Sequence, residues 1–431
     1  MVALATPARA QDAHYWSLQV GSRATLLGGS VVALDTDLSA AYYNPGSLVR
    51  VAEGSALSMF AKTVTTLTLS LDTSTPLAAE SDIGASAPGM FAARVPGVHL
   101  FEDDVITFSY LVRQSSKLDL TGAVLSSPTV PAEALDFFAF QDIYDGWYGL
   151  SWARDVGGFG AGVSVFFSSV SYRQRLETKD IVLESASEAG ALSENVYYSF
   201  ACRRVVAKGG VSWTGGPLSL GASLTLPSLR LPWSSGTMSV GRNLVAQDSV
   251  LVSQIAFSRQ EDLDADYREP IAVGLGAQFE LGSFGFYAAA EWFGSVDEYD
   301  VLETRPLTSQ VPPQEFVLPL TQRREDVLNI GGGVSVEATS WLSFYGSVRT
   351  DRSYRDPADR TFVGLGAYDI TQVTFGIGVS SDEFEVILGG LAGEGDSDGQ
   401  VVLSPLPGSP SVASRTEFEQ RGFIVAFSAS F

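Results

Sequence analysis

Gly422–Phe431, GFIVAFSASF, closes the chain and decides how the rest of it is read. As a strand it puts Phe423, Val425, Phe427, Ala429 and Phe431 on one face and Ile424, Ala426, Ser428 and Ser430 on the other. An apolar face opposite a smaller one, over about ten residues, is the pattern of a strand that crosses a bilayer. The competing reading is an edge strand of a soluble sheet, which would leave an apolar, aggregation-prone edge.

Upstream the same alternation recurs. Short Gly-containing turns at Asp155-Val156-Gly157-Gly158, Trp213–Pro217 and Gly282-Ser283 join pairs of alternating segments, a hairpin signal. The other connections are long, acidic and rich in Pro and Ser: Leu118–Ala139, Leu176–Glu194, Pro227–Glu269, Asp297–Glu325, Asp351–Asp369 and Gly393–Glu417. Short turns at one rim and long loops at the other are how outer-membrane barrels are built. About fourteen strands are predicted, near 55–71, 87–95, 104–116, 142–154, 158–174, 195–212, 217–226, 269–281, 284–297, 326–338, 341–350, 370–380, 384–392 and 418–431. Residues 245–262 read as an additional hairpin within an outer loop.

Leu328, Ile330, Gly332, Val334 and Val336 form a lipid-like face, as do Val373, Phe375, Ile377 and Val379; Leu342, Phe344 and Val348; and Ile271, Val273, Leu275, Ala277 and Phe279. Asn329, Gln372, Arg349 and Gln278 fall on the opposite, lumen-like faces. Trp147, Trp152, Trp213, Trp292 and Trp341 sit near predicted strand ends, where an interfacial aromatic girdle is expected.

Composition supports this reading. The 431 residues carry 27 Lys plus Arg against 49 Asp plus Glu, a net charge of −22 that would repel nucleic acid. Hydrophobic residues make up 45%, yet no apolar run is long enough for a membrane-spanning helix. A closed barrel crosses a membrane without one, because its strands satisfy each other's backbone groups. With Cys202 as the single cysteine, no internal disulfide forms.

The opening, MVALATPARAQDAHYW, contains Ala8-Arg9-Ala10 as an A-x-A cleavage pattern, so residues 1–10 read as the remnant of an export signal. The alternative is an Ala-rich tail. Residues 11–53 hold little period-2 pattern and are expected to form two short helical pieces, with a turn at Asn44-Pro45-Gly46, filling the lumen as a plug. Residues 54–431 are expected to form the barrel.

Gly21-Ser22-Arg23-Ala24, Gly28-Gly29-Ser30, Ala33, Asp37-Leu38-Ser39-Ala40 and Tyr42-Tyr43-Asn44-Pro45-Gly46-Ser47-Leu48 together resemble the N-terminal hatch of the FadL/TodX family of outer-membrane transport proteins. The stretch Leu220–Pro227, LGASLTLP, is similar to a strand of that family, and Gly46 stands where Ala is usual. The resemblance implies an all-β fold: a transmembrane antiparallel barrel of fourteen strands with an N-terminal hatch in its lumen. It also implies passive uptake of long-chain fatty acids and other hydrophobic compounds, and a lateral route through the wall near a kinked early strand. Gly21, Arg23, Gly28, Gly29, Asp37, Asn44, Pro45 and Gly46 are then hatch residues.

Within that frame, Pro88, Gly89 and Pro96 mark a short second strand suited to a lateral opening, since Pro cannot donate to the ladder. His14, Tyr15 and Trp16, together with Leu229, Leu231, Trp233, Val252 and Ile255, are candidate substrate-binding residues; the last five have packing against neighbouring loops as their alternative. Alternation places Arg113, Glu291 and Arg349 toward the lumen as ion-pair tethers for the plug.

No catalytic site is expected. The only histidines are His14 and His99, no G-x-S-x-G occurs, and Gly158–Gly162 opens a strand rather than a phosphate-binding helix. No cofactor or metal site is expected either. The expected partners are outer-membrane lipids, lipopolysaccharide and a hydrophobic small molecule, with the chain a monomer. The alternative function is a non-conducting barrel that holds a partner protein, as in secretion assembly.

Overall fold

The computed structural model describes residues 3–4, 8–9, 13–16, 18–33, 37–51, 55–71, 77–85, 88–98, 100–101, 104–125, 132–183, 189–247, 251–310, 313–355, 361–362, 367–381, 383–402 and 411–429. Its main sheet is a closed barrel. Successive pieces that continue one another merge into fourteen wall strands among the described residues. These are β1 (Ser55–Leu71), β2 (Leu77–Ala85 and Pro88–Arg94), β3 (Asp104–Leu125), β4 (Ala132–Val156), β5 (Phe159–Leu183), β6 (Ala189–Gly215), β7 (Leu218–Thr225, Leu229–Arg230 and Ser235–Gln247) and β8 (Leu251–Asp264 and Ala272–Leu281). They continue as β9 (Phe284–Phe293), β10 (Val327–Thr339), β11 (Leu342–Asp351), β12 (Ile370–Ser380), β13 (Phe384–Val402) and β14 (Ser411–Ala429). β14 pairs antiparallel with β1 from Ser414↔Leu71 to Ala429↔Ser55 and closes the ring.

The turns at the short-turn rim follow the chemistry read from them. Gly157, Gly158, Gly216 and Gly282 all have positive φ, which Gly adopts without steric cost. Above the membrane band the strands run further than hydropathy predicts. β3 and β4 stay paired out to Leu125↔Ala134, β5 and β6 to Leu183↔Ala189, and β13 and β14 to Val402↔Ser411. Leu118–Ala139, Leu176–Glu194 and Gly393–Glu417 are therefore largely ladder, not loop. Beyond the bilayer the outward face turns polar, so the apolar-outward pattern fades, while the inward face stays buried and the backbone bonds continue. Pro227–Glu269 is corrected in the same way. Its hairpin, Ser235–Gln247 with Leu251–Asp264, begins earlier than 245 and continues the wall.

The lipid face is as read: Phe423, Phe427, Leu328, Ile330, Val373, Phe375, Phe344 and Val348 are exposed, while Ile424, Ala426, Asn329, Gln372 and Arg349 are buried. Phe431 lies outside the described residues. Trp147 departs from the expected girdle. It shares the inward register of Asp145, donates Nε1–H to that carboxylate at 2.9 Å, and is buried against the plug. Trp292 is exposed near an outer strand end and Trp341 at the short-turn rim.

The interior is filled in three layers. Nearest the short turns lies the hatch, with α1 (Ser22–Leu26), α2 (Ala40–Tyr43) and a 3₁₀ turn at Pro45–Arg50. It buries Val20, Leu26, Leu27, Leu38 and Leu48 against inward-facing Leu111, Phe166, Ile387 and Ile424. Farther out, the connection between β9 and β10 folds back inside. Its strands Val296–Leu302 and Leu320–Arg324 pair with each other, and Val301, Leu302, Leu318 and Leu320 pack on Tyr172, Tyr198, Phe200 and Met238 of the wall. Part of the stretch read as barrel is thus a second plug. Ala8–Arg9, within the stretch read as a signal remnant, runs parallel beside Leu320–Thr321. A layer of charged side chains lies between the two apolar plugs.

Candidate functional site: the doubly plugged lumen

The hatch is seated by its own motif. Asn44 begins the 3₁₀ turn, with Oδ1 accepting from Gly46 N at 3.1 Å. Its Nδ2–H₂ donates to Val32 O at 2.7 Å, within the hatch, and to Val211 O at 2.9 Å, on the wall. Asp37 accepts from Ser39 N at 2.6 Å and Ser22 Oγ at 3.1 Å, tying α1 to α2. Arg23 Nε donates to both oxygens of Glu385 on β13, at 2.9 and 3.1 Å. Wall hydroxyls reach hatch carbonyls: Ser164 to Ala41, Thr374 to Leu26 and Ser212 to Gly46. Gly21, Gly28 and Gly29 have φ of 96°, 61° and 76°, so the hatch chain turns where L side chains are strained.

The wall facing the hatch is stripped to glycine. A Cβ on Gly210 would lie 2.0 Å from Asn44 Oδ1, on Gly162 2.4 Å from Pro45 O, on Gly221 2.1 Å from Val32 O, and on Gly389 2.4 Å from Leu26 Cδ2. A Cβ on Gly46 itself would meet the backbone oxygens of Gly210 and Gly160 at 2.7 and 2.8 Å. The departure from Ala at this position therefore has a steric reason: two wall strands approach too closely for a methyl group. The readable signal for the cradle is Gly at lumen-register positions of strands rather than at turns.

The three predicted lumen residues all face inward, with different partners from those expected. Arg113 sits where the β3–β4 register slips between Val112 and Gln114, a bulge that aims it inward. Its guanidinium lies 3.7 Å from Glu269. Glu291 accepts from Trp16 Nε1 at 2.8 Å and lies 3.6 Å from Lys208 Nζ. Arg349 Nε donates to Gln372 at 2.7 Å. Among the described residues the ion pair that joins hatch to wall is Arg23–Glu385.

Sequence reading missed the centre of the charged layer. Arg204 is buried, with Nη2 2.5 Å from Asp145 and Nη1 3.4 Å from Glu269, Nε donating to Ser168, and its guanidinium over the Tyr267 ring. Lys208 lies over the Tyr42 ring of the hatch. The available signal was Arg203-Arg204 in an alternating strand: one of two consecutive arginines must face the lumen.

The predicted substrate residues divide into an inner and an outer set. His14, Tyr15 and Trp16 are buried in the lumen: His14 Nε2 pairs with Tyr368 O at 2.8 Å, Tyr15 stacks on Phe293, and Trp16 N donates to Asp351. Leu229 and Trp233, 69% and 68% exposed, lie on the outside, where β7 breaks between Thr225 and Ser235. There β8 also leaves the wall, with Asp266 N bonding to Val301 O of the second plug. Leu231 and Ile255 are half-buried, and Val252 is described by its backbone pairing with Ala246.

Pro88 and Gly89 start the inner piece of β2, and Pro96 lies in the turn that follows it. The outer piece, Leu77–Ala85, pairs with β1 and runs beside β3, and the inner piece pairs with β3 from Met90↔Leu111 to Arg94↔Thr107. Beside the outer ends of β12–β14 and β1 a cavity of about 590 Å³ is lined by Asp369, Glu394, Glu417, Glu419 and Arg415, a setting too polar for an apolar guest. Among the described residues no group of side chains has metal-ligand grouping.

Solved structures share this architecture. The chain aligns with a Pseudomonas aeruginosa FadL homologue at TM-score 0.59 and 11% identity, covering 97% of this chain and 100% of that one. With the Pseudomonas putida toluene transporter TodX the values are 0.60 and 13%, over 96% and 99%. With the Ralstonia pickettii toluene transporter TbuX they are 0.57 and 11%, over 96% and 98%. No family profile and no curated protein sequence matches. The chain thus has the FadL/TodX-type fold, a hatch-plugged barrel, at identities where the fold alone is shared.

Proposed function

We propose that this protein is a monomeric outer-membrane channel for passive uptake of hydrophobic small molecules, with no enzymatic step. The observation that carries the reading is the way the lumen is closed. Among the described residues the hatch is held to a wall rich in glycines by side-chain hydrogen bonds and the Arg23–Glu385 ion pair, and the single cysteine, Cys202, offers no disulfide to that wall. Such a seat is reversible. An apolar compound captured near Leu229 and Trp233, or delivered through the wall beside Pro88 and Pro96, would pass the lumen when the hatch shifts. Apolar compounds need such a route because the lipopolysaccharide surface is polar. The test is uptake of labelled long-chain fatty acid and labelled toluene by cells with and without the protein. Protein-dependent uptake of at least one supports the reading, and equal uptake across an apolar panel removes it.

A second reading, a non-conducting barrel that holds a partner protein, is favoured by the long outer arms. β6 runs for 27 residues, where about ten cross a bilayer. A chain that copurifies with an otherwise non-conducting barrel would support it.

A further inference from the structure

Arg324 is 1% exposed, yet no carboxylate forms an ion pair with it among the described residues. Neighbouring Arg323 pairs with Glu325, and the equally buried Arg204 has both Asp145 and Glu269. Arg204, over the same Tyr267 ring, adds a second cation, and the hydrogen-bond partners of Arg324 among the described residues are neutral. Nη2 donates to Gln322 Oε1 at 3.2 Å, Nη1 donates to the Tyr15 hydroxyl at 3.4 Å, and Nε has no hydrogen-bond partner. Its guanidinium lies over the rings of Tyr354, Tyr267 and Tyr15, with centroids at 4.9, 5.0 and 5.6 Å. A buried cation without a counter-ion is costly, and aromatic faces offset only part of the lost hydration.

The group filling the remaining side of this cage comes from the N-terminal segment rather than the wall. The Tyr15 ring stacks on Phe293 at 4.1 Å and 8°, tilts against Tyr354 at 5.0 Å, and presents its hydroxyl to Arg324. It occupies an aromatic slot, stacked on Phe293 and edged by tilted Tyr354, with a cation at its hydroxyl end.

We propose that Tyr15 is a resident stand-in, and that its slot is a binding subsite for an aromatic carboxylate. The incoming ring replaces the phenol between Phe293 and Tyr354, and its carboxylate accepts hydrogen bonds from Arg324 Nε and Nη1. A neutral aromatic hydrocarbon fits the slot but leaves the guanidinium without its anion, and a flexible acyl chain does not match a stacked ring face. This rests on the uptake reading for its biological role, but the site is tested by equilibrium binding, which needs no transport.

The experiment is calorimetric titration of the detergent-solubilised full chain with benzoate and with toluene, probes of the same shape that differ in charge. Tyr15→Ala vacates the slot and is expected to strengthen benzoate binding about tenfold over the unsubstituted chain, whereas Tyr15→Phe, which keeps the ring in place, is not. Adding Arg324→Gln to Tyr15→Ala is expected to weaken benzoate about tenfold and leave toluene unchanged. Equal benzoate and toluene affinities in Tyr15→Ala, or an unchanged benzoate affinity after Arg324→Gln, would overturn the proposal. If Arg324→Gln loses the heat-modifiable gel migration of a folded barrel, the benzoate preference of Tyr15→Ala alone decides. Normal benzoate binding with no protein-dependent uptake would remove the channel reading and leave this subsite standing.

Discussion

Gly209 and Gly210 are neighbours in β6 with opposite roles. A Cβ on Gly209 meets nothing within 4 Å, while one on Gly210 would collide with Asn44. Gly210→Ala is therefore expected to destabilise the protein by about 1–3 kcal/mol through overpacking, and Gly209→Ala to leave its thermal midpoint nearly unchanged. Paired thermal melts in detergent check this. The buried ion pairs make a second prediction. Asp145→Ala strands Arg204 with a weaker partner and removes the acceptor of Trp147, so a loss of about 3–5 kcal/mol is expected in urea unfolding. Neither glycine cradle nor charge layer was legible as a site beforehand. A lumen-facing Gly looks like any strand Gly until the hatch is laid against it. An Arg in a strand does not show which carboxylate it meets.

At the scale of elements, the hatch is the readable part. Its motif residues Gly21, Arg23, Asp37, Asn44 and Gly46 each have a local task that their chemistry foretells: left-handed turn, salt link, cap, bridging amide and close approach. The second plug was not legible. Residues 296–324 have the acidic, Pro-containing look of an outer loop, and their apolar residues are too scattered to show a period. The salt link makes the hatch testable. Glu385→Gln keeps the shape of the side chain and removes the charge facing Arg23, which is partly exposed, so a stability loss of about 1 kcal/mol is expected. The expected functional outcome is more frequent conductance openings in planar bilayers. A conductance trace identical to that of the unsubstituted protein would exclude this link as a restraint on the hatch.

For the whole molecule, the barrel is defined by what its outer surface meets. Phe375, 64% exposed midway along β12, is flanked in register by Gly346 of β11 and Gly390 of β13, so the lipid side there carries little else. Phe375→Arg is expected to cost about 2–4 kcal/mol near the bilayer midplane. A lowered urea midpoint in lipid vesicles, with little change in detergent micelles, would show that this face meets hydrocarbon. The outer arms obey no such constraint, which is why β3 to β6 extend so far beyond the band with polar residues on their outward faces, their inward faces being buried.

Sequence alone determined the strand count, the closing strand, the short-turn rim, the lipid-facing register and the hatch motif. Each is a local consequence of the period-2 backbone or of Gly, Pro and Asn geometry, and needs no knowledge of what lies across the lumen. Tertiary structure decided the rest. It brought the β9–β10 connection into the interior, turned Trp147 inward, paired Arg204 with Asp145 and Glu269, and placed Tyr15 against Arg324. Those partners are separated by up to 309 residues, as Tyr15 and Arg324 are. The pairing of buried charges and rings depends on distances across an enclosed space, which alternation along one strand does not encode.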